Sequence, residues 1–252
     1  MVKNDVKVFS TLEDLSWAAA CAFEDLARLK FIEGKTFYAA LSGGLTPRLL
    51  YQILAGRALL GRIEWNNVQL FQVDERCVPP DHPDSNYRMI REALLDSGEI
   101  PAENFHRMHA EEPDLEGAAR DYAHELARVL QPQDGLRPRL DIVFLGMGPD
   151  GHTASLFPGT AALEEQSLWV CPNRVERLGM SRLTMTLPLL NTAAHVIFLV
   201  AGADKGETLR KVLEGPPGEL PAQRIHPVEG SLSWFLDEAA ARKLSLATRG
   251  ES

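Results

Sequence analysis

Cysteine is scarce: Cys21, Cys77 and Cys171 are the only three in 252 residues, and they form no CxxC pair. That excludes a disulfide frame or a zinc ribbon and fits reduced thiols in a cytoplasmic protein. No apolar stretch follows Met1-Val-Lys-Asn-Asp5, and nowhere do about 18 apolar residues run together, so neither a secretory leader nor a membrane span is expected. Positive charge is in deficit, with 26 Lys and Arg against 35 Asp and Glu and a net charge of −9. This balance argues against nucleic acid or an anionic membrane as a bulk partner. It leaves room for a small anion, because screening over roughly 8–10 Å lets a site's own charges govern. Internal repeats, low-complexity segments and long linkers are also missing, so a single domain over 1–252 is expected.

Several chemical signatures are absent as well. There is no G-x-S-x-G nucleophile elbow and no Gly-Lys-Ser/Thr ending for a nucleotide loop. His106 and His109 do not stand in an H-E-x-x-H pattern, and no acidic cluster completes a zinc site. His82, His124, His195 and His226 likewise read as structural or surface groups. No metal is expected.

What is present is an alternation of short apolar strands and amphipathic helices, in a chain that is 45% hydrophobic. A strand over 6–9 is followed by Ser10 and Glu13 in capping-box spacing. A helix then carries Leu12, Leu15, Ala19, Ala22, Leu26 and Leu29 on one face. A strand over 36–41 runs into Ser42-Gly-Gly-Leu-Thr-Pro47, where Thr46 suits an N-cap and Pro47 a first helical residue. A strand over 68–73 delivers Asp74-Glu-Arg76, and helices follow from Tyr87 to Gly98 and over 114–130, with a short strand over 105–108 between. The apolar, β-branched run 142–145 reads as a fully buried parallel strand. Further strands are expected over 168–171, 182–187 and 195–200, then helices over 204–213 and 232–244. The pattern is that of an α/β protein with a largely parallel sheet covered on both faces.

In such sheets ligands gather at the carboxyl ends of the strands. Ser42-Gly-Gly-Leu-Thr-Pro47 is either a phosphate cradle at a helix N-terminus or a plain turn with glycines serving geometry. Gly146-Met-Gly-Pro-Asp-Gly151 matches GxGxxG, but Pro149 and the nearby Pro158-Gly159 leave no long helix for a dinucleotide to rest on. His152, beside Asp150 on that turn, is either a general base or a hydrogen-bonded loop histidine. Asp74-Glu-Arg76 is either a charged triplet at the ligand edge or a strand meeting solvent. Arg182 and Lys205 are anion ligands or surface charges. Cys77 has no locally paired histidine and reads as a small loop residue.

Four segments together carry a resemblance: Ser42-Gly-Gly-Leu-Thr-Pro47; Val73-Asp-Glu-Arg76 with Ser85-Asn-Tyr87; Gly146-Met-Gly-Pro-Asp-Gly-His-Thr-Ala-Ser-Leu-Phe-Pro158; and Arg182-Leu-Thr-Met-Thr-Leu-Pro188. In order along the chain, they resemble the glucosamine-6-phosphate isomerase/6-phosphogluconolactonase family, specifically its lactonase branch. The resemblance implies a three-layer α/β/α fold with a mostly parallel, Rossmann-like sheet. It further implies metal-free and cofactor-free hydrolysis of 6-phospho-D-glucono-1,5-lactone in the oxidative pentose phosphate pathway. It assigns catalysis to His152 with Asp150 or Asp74 orienting the imidazole and favouring its cation. Binding of the substrate, its phosphate above all, falls to Ser42, Gly43, Gly44, Thr46, Arg76, Arg182 and Lys205, with Arg76 on either phosphate or sugar hydroxyls. Backbone N–H groups of the glycine turn are expected to hold the oxyanion. The sister deaminases have a proton-carrying glutamate where Phe157 stands and a tyrosine where Arg76 stands, and both departures favour the lactonase. A non-catalytic sugar-phosphate sensor would need a further DNA-binding module, for which no room is expected ahead of Val6 or after Leu244.

Overall fold

A computed structural model describes residues 5–133 and 136–250. The chain begins with β1 (Asp5–Phe9), α1 (Leu12–Ile32), β2 (Phe37–Leu41) and α2 (Leu45–Leu54). It continues through β3 (Val68–Gln72), β4 (Asp74–Arg76), α3 (Asn86–Ala93), β5 (Phe105–His106) and α4 (Leu115–Leu130). Then come β6 (Ile142–Leu145), β7 (Val170–Val175), β8 (Met180–Met185), the short α5 (Leu187–Leu190) and β9 (His195–Val200). The last elements are α6 (Gly206–Glu214), β10 (Ser231–Asp237), α7 (Glu238–Ala241) and α8 (Leu246–Arg249).

Seven strands form one sheet in the order β1-β10-β9-β6-β2-β3-β5, every neighbouring pair parallel. Each central strand divides its side chains between two cores, because successive residues point to opposite faces. Ile142 and Phe144 of β6 pack with Leu15, Phe23, Leu50 and Ile90 of α1, α2 and α3. Val143 and Leu145 pack with Leu126 of α4, Leu209 of α6 and Met185 of β8. Burial on both faces is why β6 has no polar residue, and each such Leu, Ile or Phe stabilises by about 1.5–3 kcal/mol. The layers are thus helix, sheet and helix, as the resemblance implied. Among the described residues no helix is long and apolar enough to cross a membrane.

Several local expectations are corrected. The N-cap of α1 is Thr11, whose hydroxyl accepts from Asp14 N, rather than Ser10. The buried stripe of α1 runs through Leu15, Ala19, Phe23 and Ala27, while Leu29 is 53% exposed. Ala22 and Leu26 are half-buried at the edge of that core and Leu29 leaves it, since 3.6 residues per turn favours 19, 23, 27. Helix α2 is capped by Gly44, leaving Thr46 and Pro47 inside its first turn. Asp74-Glu-Arg76 forms the strand β4, which pairs antiparallel with β8, and β8 with β7, in a second sheet. β7 and β8 are joined by too short a turn to run parallel. The expected helix over 204–213 is α6, which starts at Gly206 behind a 3₁₀ turn, Ala203–Lys205. Most consequential, the expected helix over 232–244 begins as β10, placed between β1 and β9. Leu232, Trp234 and Leu236 alternate onto one core, a period-2 pattern masked by the Glu238-Ala-Ala-Ala241 helix former that follows.

Candidate active site

A cavity of about 560 Å³ opens at the carboxyl ends of β2, β6, β9 and β10. The turn after β2 brings Ser42, Gly43, Gly44 and Thr46; β4 brings Asp74 and Arg76; β8 brings Arg182. His152 enters from the loop after β6 and Lys205 from the turn after β9. Of the residues nominated from sequence, only Asp150 stands behind the wall rather than on it. The small antiparallel sheet brings both arginines to the cleft, Arg76 on β4 and Arg182 on β8.

His152 Nδ1 meets Asp150 Oδ1 at 2.5 Å, and its own backbone N–H donates to the same oxygen at 3.3 Å. A carboxylate accepts only, so Nδ1 carries the proton of a neutral ring and Nε2 keeps its lone pair. The imidazole lies flat on Phe157, with ring centroids 4.0 Å apart, and against Gly148. A Cβ on Gly148 would stand 2.0 Å from His152 Cε1, so glycine alone lets the ring approach. Burial drives the His152 pKa down from 6.5 to about 4. Asp74 pulls upward, while Arg182, Lys205 and Arg76 push further down. The ring is therefore neutral at pH 7, as a general base requires, and burial and three cations outweigh the pull of the Asp74 carboxylate toward the cation.

Asp74 does not hold the imidazole. Ser155 Oγ donates to its Oδ2 at 2.6 Å, and Asn86 Nδ2 donates to its carbonyl at 2.9 Å. The neighbouring Glu75 points the other way along β4 and accepts from Gln72 Nε2, Ser85 Oγ and the N–H groups of Arg76, Asn86 and Tyr87. It clamps the start of α3 to β4 and so sets Asn86 beside the cavity. Burial nonetheless pushes the Glu75 pKa up.

Arg76 donates from Nη1 to Asp84 O at 2.6 Å, and Arg182 reaches Ser155 Oγ at 3.5 Å and lies over Phe157. The Nε of each arginine is buried without a protein partner. Such donors cost about 1–3 kcal/mol when left unmade. Burial lowers the Arg182 pKa, opposed by Asp74.

Internal hydrogen bonds limit what the Ser42 hydroxyl and two of the glycine-turn N–H groups can offer a ligand. Ser42 Oγ donates to Phe144 O at 2.7 Å, and Tyr51 OH donates to Ser42 O at 2.8 Å. The Ser42 hydroxyl proton thus braces β2 against β6. In the glycine turn, Gly148 N–H donates to His152 O and Gly151 N–H to Gly148 O. Both are consumed within the turn, so neither is an oxyanion donor. Thr153 Oγ1 on Gly146 O closes the same loop, and Ala154 is held at φ 50, a conformation an L-residue adopts under strain.

Sequence reasoning missed Asn86, Ser155 and Asp237 as site residues. The first two stood inside quoted motifs, and their polar character was the available signal. Asp237 was hidden by the misread last strand. Among the described residues no group of three or more His, Cys, Asp or Glu could hold a metal ion.

Fold and cavity define the class: an α/β protein with a basic, glycine-lined cleft at the carboxyl edge of a parallel sheet. Residues 10–234 match the family described as glucosamine-6-phosphate isomerases/6-phosphogluconolactonase, and the chain is an enzyme of that family. It is 45% identical over 207 residues to a 6-phosphogluconolactonase of Synechocystis, spanning 81% of this chain and 83% of that one. It is 39% identical over 245 residues to the 6-phosphogluconolactonase of Rattus norvegicus, spanning 96% and 94%. The structure of 6-phosphogluconolactonase from Trypanosoma cruzi superposes with a TM-score of 0.86 at 29% identity, covering 97% of this chain and 98% of that one.

Proposed function

We propose that the chain hydrolyses 6-phospho-D-glucono-1,5-lactone to 6-phospho-D-gluconate, the lactone-opening step of the oxidative pentose phosphate pathway, acting as a single α/β domain in the cytoplasm. The observation that carries this reading is His152: a neutral imidazole, tied at Nδ1 to Asp150, at the wall of a cleft with three cations. Its Nε2 takes a proton from water as the water oxygen bonds to C1. The tetrahedral intermediate then breaks the bond from C1 to the ring oxygen, and the proton on Nε2 goes to that departing oxygen. An imidazole with a pKa lowered to about 4 is a weak base but a ready acid for the second step. A strained ester needs little push from the base, so no covalent nucleophile is required.

Arg182, Lys205 and the α2 N-terminus around Gly43 and Gly44 hold the phosphate, which fixes the far end of the sugar and so places C1. Arg76, opposite Arg182, shares that anion. Asp74, braced by Ser155 and Asn86, serves the sugar and the electrostatics of the imidazole. The sister deamination is disfavoured because Phe157, stacked under His152, has no proton to move. The deciding experiment follows the pure protein on freshly generated 6-phosphogluconolactone against an enzyme-free control, and on glucosamine 6-phosphate with ammonia as readout. Lactone turnover without ammonia release is expected; the reverse overturns the assignment.

A further inference from the structure

β10 ends on Asp237, a carboxylate that lines the same cleft as Lys205. Placing a fixed negative group in an anion-binding cavity works against the anion by simple repulsion, so the carboxylate needs a reason to be there. Its hydrogen bonds supply one. Both oxygens accept from Gly202 N–H, at 3.1 and 3.0 Å, and Oδ1 also accepts from Ala240 N–H at 2.7 Å. One side chain therefore caps α7 and grips the residue that opens the turn carrying Lys205.

Gly202 sits at φ 100, and a Cβ there would stand 2.7 Å from Asp204 Oδ1. No other residue adopts this backbone cheaply. Gly202 O accepts from Lys205 N–H at 3.1 Å, closing the 3₁₀ turn Ala203–Lys205. Immediately beyond, a Cβ on Gly206 would meet Ala240 O at 3.3 Å, so the start of α6 is pressed against α7. The Lys205 backbone is thus referenced to the end of β10 through two hydrogen-bonded links, Asp237 to Gly202 and Gly202 to Lys205. Among the described residues the Lys205 ammonium pairs with the exposed Asp204 at 3.3 Å, which fixes it little.

We infer that Asp237 is a positioning residue for Lys205: by gripping Gly202 it sets where the ammonium meets the substrate's phosphate, and so contributes to selection of the phosphorylated lactone. This rests on the reading that Lys205 binds that phosphate. It predicts that Asp237 acts only through Lys205.

The test compares Asp237→Asn, Lys205→Met and the double variant. Two quantities are read: the ratio of kcat/KM for phosphorylated over unphosphorylated gluconolactone, and the inhibition constant of inorganic phosphate. Asp237→Asn keeps Oδ1 for Ala240 but replaces Oδ2, the acceptor at 3.0 Å from Gly202 N, with an N–H donor, so Gly202 is left with the shared Oδ1 at 3.1 Å and faces a repelling N–H. The ratio should fall about tenfold and phosphate inhibition should weaken in step. In the Lys205→Met background the same change should have no further effect on either quantity. If Asp237→Asn does not fold, Asp237→Ser retains a helix cap for α7 and is too short to hold Gly202, and the same results are expected of it. An unchanged ratio, or an effect that adds in full to that of Lys205→Met, overturns the inference. Lys205→Met without effect would overturn it together with the phosphate reading; an effect of Lys205→Met but none at Asp237 overturns it alone.

Discussion

Arg76 and Arg182 stand directly opposite one another across the antiparallel pair β4–β8, each with its Nε buried and without a protein partner. Like charges facing across a ladder are destabilising, and the proposed phosphate site would offset that repulsion. Arg182→Ala should therefore raise the KM for the phosphorylated lactone by roughly 10–100-fold, the value of one charge-assisted contact. Unphosphorylated gluconolactone should respond far less. The same variant should lose most of the rise in Tm that inorganic phosphate gives the parent, because a ligand that binds only the folded state stabilises it. Equal effects on both lactones, measured by steady-state kinetics, would remove Arg182 from the phosphate.

His152→Ala should fold and lose kcat by roughly 10²–10⁴-fold, the range for general acid–base help. Asp150→Asn should lower kcat with little change in KM, since the amide no longer dictates which imidazole nitrogen carries the proton. Near-parental turnover in His152→Ala would end its role as base.

The lowered pKa of His152 has a sign that kinetics can read. With the folded-state value at about 4 against an ordinary 6.5, kcat/KM should stay level from pH 7 to about 5 and fall tenfold per unit below about 4. A bound dianion neutralises part of Arg182, Lys205 and Arg76, all of which depress this pKa, so the acid limb of kcat should lie above that of kcat/KM. The stability consequence follows from the same shift. Between pH 6.5 and 4 the unfolded chain takes up a proton that the folded chain refuses, so stability is full above 6.5 and declines as pH falls through this window. Denaturant titrations should show His152→Gln losing less stability over that interval than the parent.

Gly148→Ala isolates geometry from chemistry. The added methyl would stand 2.0 Å from the imidazole, in a turn whose backbone at that residue needs no positive φ. The imidazole must move, and a displacement near 1 Å costs about 10²-fold in rate. We expect kcat to fall by that order while circular dichroism is unchanged.

The linear chain already determined the alternation of strands and helices, the buried strand β6, and nine of the ten nominated residues now found on the cleft wall. These were legible because they depend on local chemistry: apolar runs that must be buried, and glycines, His152 and charged residues at strand ends, where an open sheet exposes them. Tertiary structure alone decided the rest. The shared 2-period and helical signals around 232–241 could not be separated until β1 and β9 offered β10 two hydrogen-bonding edges. Whether Asp74 or Asp150 holds the imidazole depended on how the loop after β6 folds back on itself, and whether His152 carries charge depended on how deeply Phe157 and its neighbours bury it. Asp150 is two residues from His152, but that it and not Asp74 holds the ring depends also on Ser155 occupying Asp74 from 81 residues away, and burial likewise sums over neighbours that no spacing along the chain encodes.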